Sequence, residues 1–220
     1  MTSVRPAPDY SLYLVTDTGM CGERGVPKTV AAAVRAGVTM VQLRDPGAGD
    51  RELVALGRAV RDVLAGTGVP LLVNDRVDLV GEIGADGAHI GQGDMSVPRA
   101  RALLGETRLL GLSVHDVGQV EAAREHGEAL DYLGVGPVWA TSTKPGHAPP
   151  GGPGRLRDVV AASPWPCVAI GGIDAGRIAE VRATGVAGAA VVSAICAADE
   201  PAAATRELRD RWDAAREGAS

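Results

Sequence analysis

The chain contains no phenylalanine, and aromatic residues make up only 3% of its 220 positions. A hydrophobic core must therefore be assembled from Val, Leu, Ile and Ala. Lysine is nearly missing: Lys28 and Lys144 stand against 20 arginines, and no basic patch interleaved with aromatics is present. Together with a net charge of -5, this argues against general nucleic-acid binding. Small anionic ligands stay open, because local charge matters more than the total. Cysteine is sparse and scattered. Cys21, Cys167 and Cys196 form no CxxC pair and have no histidine at metal-ligand spacing, so they read as reduced, buried thiols. No apolar run approaches the ~18 residues needed to span a bilayer. The opening MTSVRPAPDYS lacks the apolar centre of a secretory signal. The expectation is a cytoplasmic protein with no membrane partner.

What is present is an alternation. Apolar residues reach 45%, which excludes general disorder, and 30 glycines suit many tight turns. Eight short apolar runs read as strands: Leu12–Asp17, Thr39–Asp45, Pro70–Asn74, Gly87–Gly91, Leu110–His115, Tyr132–Val138, Cys167–Ile173 and Ala189–Ala194. None alternates cleanly, as expected of strands buried on both faces of a parallel sheet. Amphipathic stretches separate them: Thr29–Ala36, Arg51–Ala65, Leu79–Ile83, Val97–Leu104, Val117–His126, Leu156–Ala162, Gly176–Ala183 and Pro201–Ala215. Eight β/α units in one chain of this length predict a single-domain α/β fold spanning 1–220, a (β/α)8 TIM barrel. A doubly wound open sheet is the competing architecture, but the first strand ends in Thr16-Asp17 without the glycine-rich dinucleotide turn. Residues 1–9 read as a flexible N-terminal segment. The Gly/Pro-rich stretch 145–154 reads as a mobile loop at the active-site end.

In such a barrel the chemistry gathers at the C-terminal ends of the strands. The run DYLGVGPVWATSTK delivers Thr141, Ser142, Thr143 and Lys144 to one of these tips: three small donors and a cation, a set suited to phosphate. The second strand places Gln42 and Arg44 on one face, and an inward arginine at a barrel mouth needs an anion or an acidic partner. Asn74 and Asp75 end the third strand, and Asp94 follows the fourth. Two carboxylates on adjacent tips suit Mg²⁺, which takes one or two carboxylates with substrate phosphates and water. The competing reading is that they cap the following helices, as Asp75 or Asp78 before Leu79 would. Ser113 can donate to a ligand oxygen. His115 and Asp116 are sequence neighbours that an extended strand points to opposite faces. His126 reads as a surface residue, and His147 lies in the 145–154 loop. The seventh and eighth tips, Ile170-Gly171-Gly172-Ile173 and Val192-Ser193-Ala194-Ile195, carry the small residues of a phosphate cup.

Taken in order, VQLRD, LLVNDRVDL, ADGAHIGQGD, GLSVH, DYLGVGPVWATSTK, AIGGI and VVSAI resemble the thiamine-phosphate synthase family over most of the stretch from Tyr13 to Ile195. The resemblance implies the same barrel and a Mg²⁺-dependent alkyl transfer. Pyrophosphate leaves a hydroxymethylpyrimidine diphosphate, a thiazole phosphate attacks the methylene through nitrogen, and a carboxylated thiazole also loses CO2. By resemblance, Gln42, Arg44, Asn74, Ser113 and Lys144 contact the pyrimidine diphosphate, with Arg44, Lys144 and Ser113 in catalytic roles. Asp75 and Asp94 resemble the metal ligands, with His89 nearby. Thr141, Ser142, Thr143, Gly172, Val192 and Ser193 resemble the thiazole-phosphate contacts.

One departure stands out. The family often has a lysine two positions after the arginine, where this chain has Pro46. Either Arg51 or Arg76 substitutes for it, or Arg44 and Lys144 suffice. Two other functions fit a barrel of this type. A thiazole tautomerase of the same family would need an acid/base residue and no diphosphate–metal site. A non-catalytic phosphate-ligand sensor would bind without turnover. Assembly into a homo-oligomer is left open by the sequence.

Overall fold

The computed structural model describes residues 8–141 and 148–217. Its strands are β1 (Leu12–Val15), β2 (Met40–Leu43), β3 (Leu71–Asn74), β4 (Gly87–Ile90), β5 (Leu109–Val114), β6 (Tyr132–Val135), β7 (Cys167–Ile170) and β8 (Gly188–Val191). They pair in chain order, all parallel, and β8 closes on β1 with Leu12 opposite Ala189 and Leu14 opposite Val191. The α-helices among the described residues are α1 (Thr18–Cys21), α2 (Val26–Arg35), α3 (Asp50–Leu64), α4 (Val80–Ile83), α5 (Val97–Leu104), α6 (Val117–Ala123), α7 (Gly152–Ala162), α8 (Ile178–Arg182), α9 (Ser193–Cys196) and α10 (Pro201–Glu217). The expected (β/α)8 barrel is present.

Alternation along each strand sorts side chains between two apolar layers. Leu12, Leu14, Val41, Leu43, Leu71 and Val73 face outward and pack under the helices in one continuous core. Tyr13, Met40, Leu72, Leu109, Tyr132 and Val168 face inward and fill the barrel. Both strand faces are buried, which explains the weak period-two signal in the sequence. Each Leu or Val buried in these layers contributes roughly 1.5–3 kcal/mol. The three cysteines are buried and free of disulfides, as expected. No helix among the described residues is long and apolar enough to cross a membrane.

Three local departures from the expected elements matter for the mouth of the barrel. A short α1 follows β1 because the Asp17 carboxylate accepts the Met20 N–H at 3.0 Å and caps a turn there. The eighth strand ends at Val191, not Ala194, since the backbone turns at Val192 and Ser193 opens α9. Helix α7 begins at Gly152, so 152–154 of the expected loop form its first turn, where Pro153 is tolerated. Residues 1–7 of the N-terminal segment and 145–147 of the loop lie outside the described residues.

Candidate active site

The C-terminal ends of the strands surround one cavity of about 420 Å³. Its wall includes Gln42, Arg44, Asn74, Asp94, Ser113, Thr141, Gly172, Val192 and Ser193, residues far apart in the chain and all singled out from the sequence. Asp75 follows Asn74 directly but is not part of the wall. Ser142, Thr143, Lys144 and His147 lie outside the described residues.

Arg44 continues the inward face of β2 as expected, and its acidic partner is Asp17 from the tip of β1, with Nη1 to Oδ2 at 3.4 Å. The Arg44 N–H also donates to Thr16 Oγ1 at 3.0 Å, knitting the first two tips together. Asp17 therefore holds the guanidinium at the rim and caps α1 at once. Arg76 does not replace the missing lysine. It donates to Asp50 at 2.7 Å and Asp78 at 3.3 Å, two carboxylates that raise its pKa further, and it is not part of the cavity wall. Arg51 is exposed on α3 and is not part of the cavity wall.

Asp75 and Asp94 are not helix caps. The turn after β3 has Arg76 at its N-cap, and α5 has Ser96. Asp94 Oδ2 instead accepts the Gly91 N–H at 2.7 Å within its own loop. Asp75 Oδ2 accepts from Asn74 Nδ2 at 2.6 Å, and its backbone is in the left-handed region with φ 59°. Few non-glycine residues adopt that conformation, aspartate among the more tolerant. Both carboxylates are thus fixed on neighbouring tips by amide donors, and hard oxygen donors of this type fit a Mg²⁺ ion. Among the described residues no set of three or more His, Cys, Asp or Glu converges as a self-sufficient metal cage. One or two protein carboxylates suffice for such an ion when phosphate and water complete its shell.

The opposite side of the mouth is built from backbone and small residues. Gly172 has φ 66°, and a Cβ there would sit 2.8 Å from Trp139 Cβ and 2.9 Å from the Ala140 carbonyl oxygen. Only glycine lets the β7 tip pass this close to the chain leading to Thr141. A shallower basin of about 350 Å³ adjoins the cavity and shares Thr141, Gly172 and Ser193 with it. Arg177 borders this basin, donating to the Gly172 carbonyl at 2.7 Å and lying 5.2 Å over the Trp139 ring.

The cavity floor is a buried polar chain that residue types alone did not reveal. Gln42 Nε2 donates to Tyr13 Oη at 2.8 Å, and Tyr13 Oη meets Tyr132 Oη at 3.0 Å. His89 Nδ1 lies 2.8 Å from Tyr132 Oη, and its Nε2 lies 2.9 Å from Ser113 Oγ. Burial pushes both tyrosine hydroxyls well above their usual pKa near 10. His89 thus serves the floor through Tyr132 and Ser113, while its backbone carbonyl accepts the Asp75 N–H at 2.9 Å on the side expected for the metal. Gly111 makes room for this chain: a Cβ there would come within 2.2 Å of the Tyr132 ring and 2.5 Å of His89 Nδ1. His115 and Asp116 do not form an acid/base pair. His115 Nδ1 is hydrogen-bonded to the Gly136 carbonyl, and Asp116 caps α6 through the Gln119 N–H at 2.9 Å. Tyr13, Tyr132, Asp17 and Arg177 were absent from the expected site. For Asp17 the one available signal was its place at the end of a strand.

A family model described as thiamine monophosphate synthase matches residues 12–195. A thiamine-phosphate synthase of Psychrobacter sp. is 47% identical over 205 residues, covering 93% of this chain and 96% of its own. That of Xanthobacter autotrophicus is 47% identical over 212 residues, covering 96% and 100%. Among solved structures, a thiamine phosphate pyrophosphorylase from Pyrococcus furiosus superposes with a TM-score of 0.85 at 32% identity, covering 95% of this chain and 98% of that one.

Proposed function

Since the chain belongs to the thiamine monophosphate synthase family, transferases of thiamine biosynthesis, we propose that its cavity joins hydroxymethylpyrimidine diphosphate to a thiazole phosphate. The observation that carries this reading is the single cavity itself. Arg44, Asn74, Asp94 and Ser113 line one side of it, while Thr141, Gly172 and Ser193 line the other. Two phosphorylated rings thereby have separate anchor points around one space.

In this reading the C–O bond between the pyrimidine methylene and the diphosphate breaks, and its electron pair leaves with pyrophosphate. The thiazole nitrogen lone pair forms the new C–N bond, and the carboxylated thiazole releases CO2. Arg44 faces the charge that grows on the leaving group, held in orientation by Asp17. Lys144 is assigned the same task by resemblance. Preorganised charge of this type is commonly the largest catalytic contribution. Gln42 and Ser113 orient the pyrimidine from the floor. The backbone around Gly172 and the Thr141 and Ser193 hydroxyls hold the thiazole phosphate, joined by Ser142, Thr143 and Val192. Asp75 and Asp94 are the residues that would hold Mg²⁺, which when bound neutralises developing phosphate charge as a Lewis acid. No protein nucleophile enters this scheme. A cytoplasmic location accompanies it, supported by the three unpaired, buried thiols.

The test is direct. Purified protein given both substrates and Mg²⁺ should release thiamine phosphate and pyrophosphate in equal amounts. Asp94→Ala should reduce turnover to background with an unchanged unfolding midpoint. Full activity of that variant at low Mg²⁺ would remove Asp94 from the metal site.

A further inference from the structure

Resting on the functional reading above, we propose that Tyr13, Tyr132 and His89 are positioning residues. They carry one hydrogen-bond direction across the barrel floor, so that Gln42 presents an acceptor and Ser113 a donor to the cavity. That pattern selects an amino-substituted pyrimidine over its oxo-substituted counterpart.

The direction follows from the Gln42 amide orientation, with Nε2 toward Tyr13, and from counting protons onward from it. Gln42 Nε2 is a donor only, so Tyr13 Oη accepts from it at 2.8 Å. Tyr13 passes its single proton to Tyr132 Oη at 3.0 Å. Tyr132, having accepted, donates its own to His89 Nδ1 at 2.8 Å. A neutral imidazole that accepts at Nδ1 carries its proton on Nε2, and His89 Nε2 donates to Ser113 Oγ at 2.9 Å. Ser113 has then accepted from below, and its hydroxyl proton is left for the cavity that it lines. At the other end, turning Nε2 of Gln42 down onto Tyr13 leaves the amide oxygen for the same cavity. Both phenols keep their protons, because burial disfavours the phenolate.

The chain has one alternative order, with the Gln42 amide turned over and every donor reversed. It would place a proton on His89 Nδ1 and offer the cavity a donor at Gln42 and an acceptor at Ser113. The two orders read opposite ligands. An aminopyrimidine donates from its exocyclic amine and accepts at the adjacent ring nitrogen. The oxo-substituted ring accepts at its carbonyl and donates from its ring N–H. Direction is therefore the quantity that carries specificity, and the His89 tautomer reports it. Tight packing keeps the chain in register, since Gly134 as well as Gly111 leaves no room for a Cβ beside the His89 ring.

Protein labelled with 15N-histidine gives the first measurement, with the His89 signal identified by its loss in His89→Gln. The expected result is the Nε2-protonated tautomer in the unliganded protein; an Nδ1-protonated ring overturns the proposal. The second measurement is the ratio of kcat/KM for 4-amino-5-hydroxymethyl-2-methylpyrimidine diphosphate to that for its 4-oxo analogue. Tyr13→Phe and His89→Leu should each lower this preference by roughly tenfold to a hundredfold, the effect of mispairing one buried hydrogen bond. His89→Gln retains one acceptor and one donor and should recover most of the preference. A lower Tm with an unaltered ratio would mean a merely structural role and would overturn the assignment. If the wild-type protein forms no thiamine phosphate, the functional reading fails by itself, and the imidazole spectrum still decides the direction of the chain.

Discussion

The two sides of the cavity are made of different materials. From β1 to β5 the wall is side chains that hold one another: Arg44 on Asp17, Asn74 on Asp75, and Ser113 on His89. From β6 to β8 it is backbone and small residues, with Gly172 in a conformation that side chains rarely adopt and Ser193 opening a four-residue helix. A charged, partnered wall stabilises a changing charge distribution, because its dipoles are already oriented. A wall of glycine and small hydroxyls brings backbone close to a ligand and fits a phosphate whose charge stays constant. In the proposed reaction this contrast matches a division of labour between leaving diphosphate and retained phosphate.

The largest effect should come from the charged side. Arg44→Ala removes the described guanidinium that lines the cavity, and kcat should fall about 10²–10³-fold, the usual loss for one preorganised donor. Single-turnover kinetics would measure it, and the KM for thiazole phosphate should stay within about twofold in the same analysis. An equal loss of affinity for both substrates would erase the distinction between the sides.

Gly172→Ala probes the other side and should act in the opposite sense. Crowding against Trp139 and the Ala140 carbonyl should cost about 1–3 kcal/mol of stability, read from urea unfolding. The KM for thiazole phosphate should rise roughly tenfold, since displacement of the β7 tip weakens about one hydrogen bond to phosphate. The KM for pyrimidine diphosphate should hardly move. A change confined to the pyrimidine substrate would reverse the assignment of the two sides.

The smallest effect concerns the floor. Tyr13 and Tyr132 have folded-state pKa values raised above their unfolded value near 10. Above pH 10 the unfolded chain loses these protons while the folded one keeps them. The stability they contribute is complete below pH 10 and declines as pH rises toward the folded-state values. Absorbance titration of the tyrosinate band should show Tyr13 and Tyr132 ionising only together with unfolding. Ionisation of both in the native protein near pH 10 would mean that the floor is wet.

Some of this site was legible in the chain and some was not, for identifiable reasons. Strand alternation was enough to put Gln42 and Arg44 on one face, and the polar tips after apolar runs marked Asn74, Asp94, Ser113 and Thr141. Glycines 171 and 172 announced a tight turn by residue type. By contrast, Arg76 was a candidate substitute for the lysine absent at Pro46, and only the packed loops show it turned to Asp50 and Asp78. Nothing in the chain marked Tyr13 and Tyr132 beyond their places in apolar runs, yet their hydroxyls meet across 119 positions of chain.

The order of apolar and polar residues by itself determined a barrel of eight parallel units, because burial on both faces and the placement of polar tips depend on near neighbours in the chain. Closure of β8 on β1 decided which tips face each other and which buried polar side chains meet on the floor. Those outcomes depend on contacts between distant segments, and a hydrogen bond has an energy only once both of its atoms have been brought within reach.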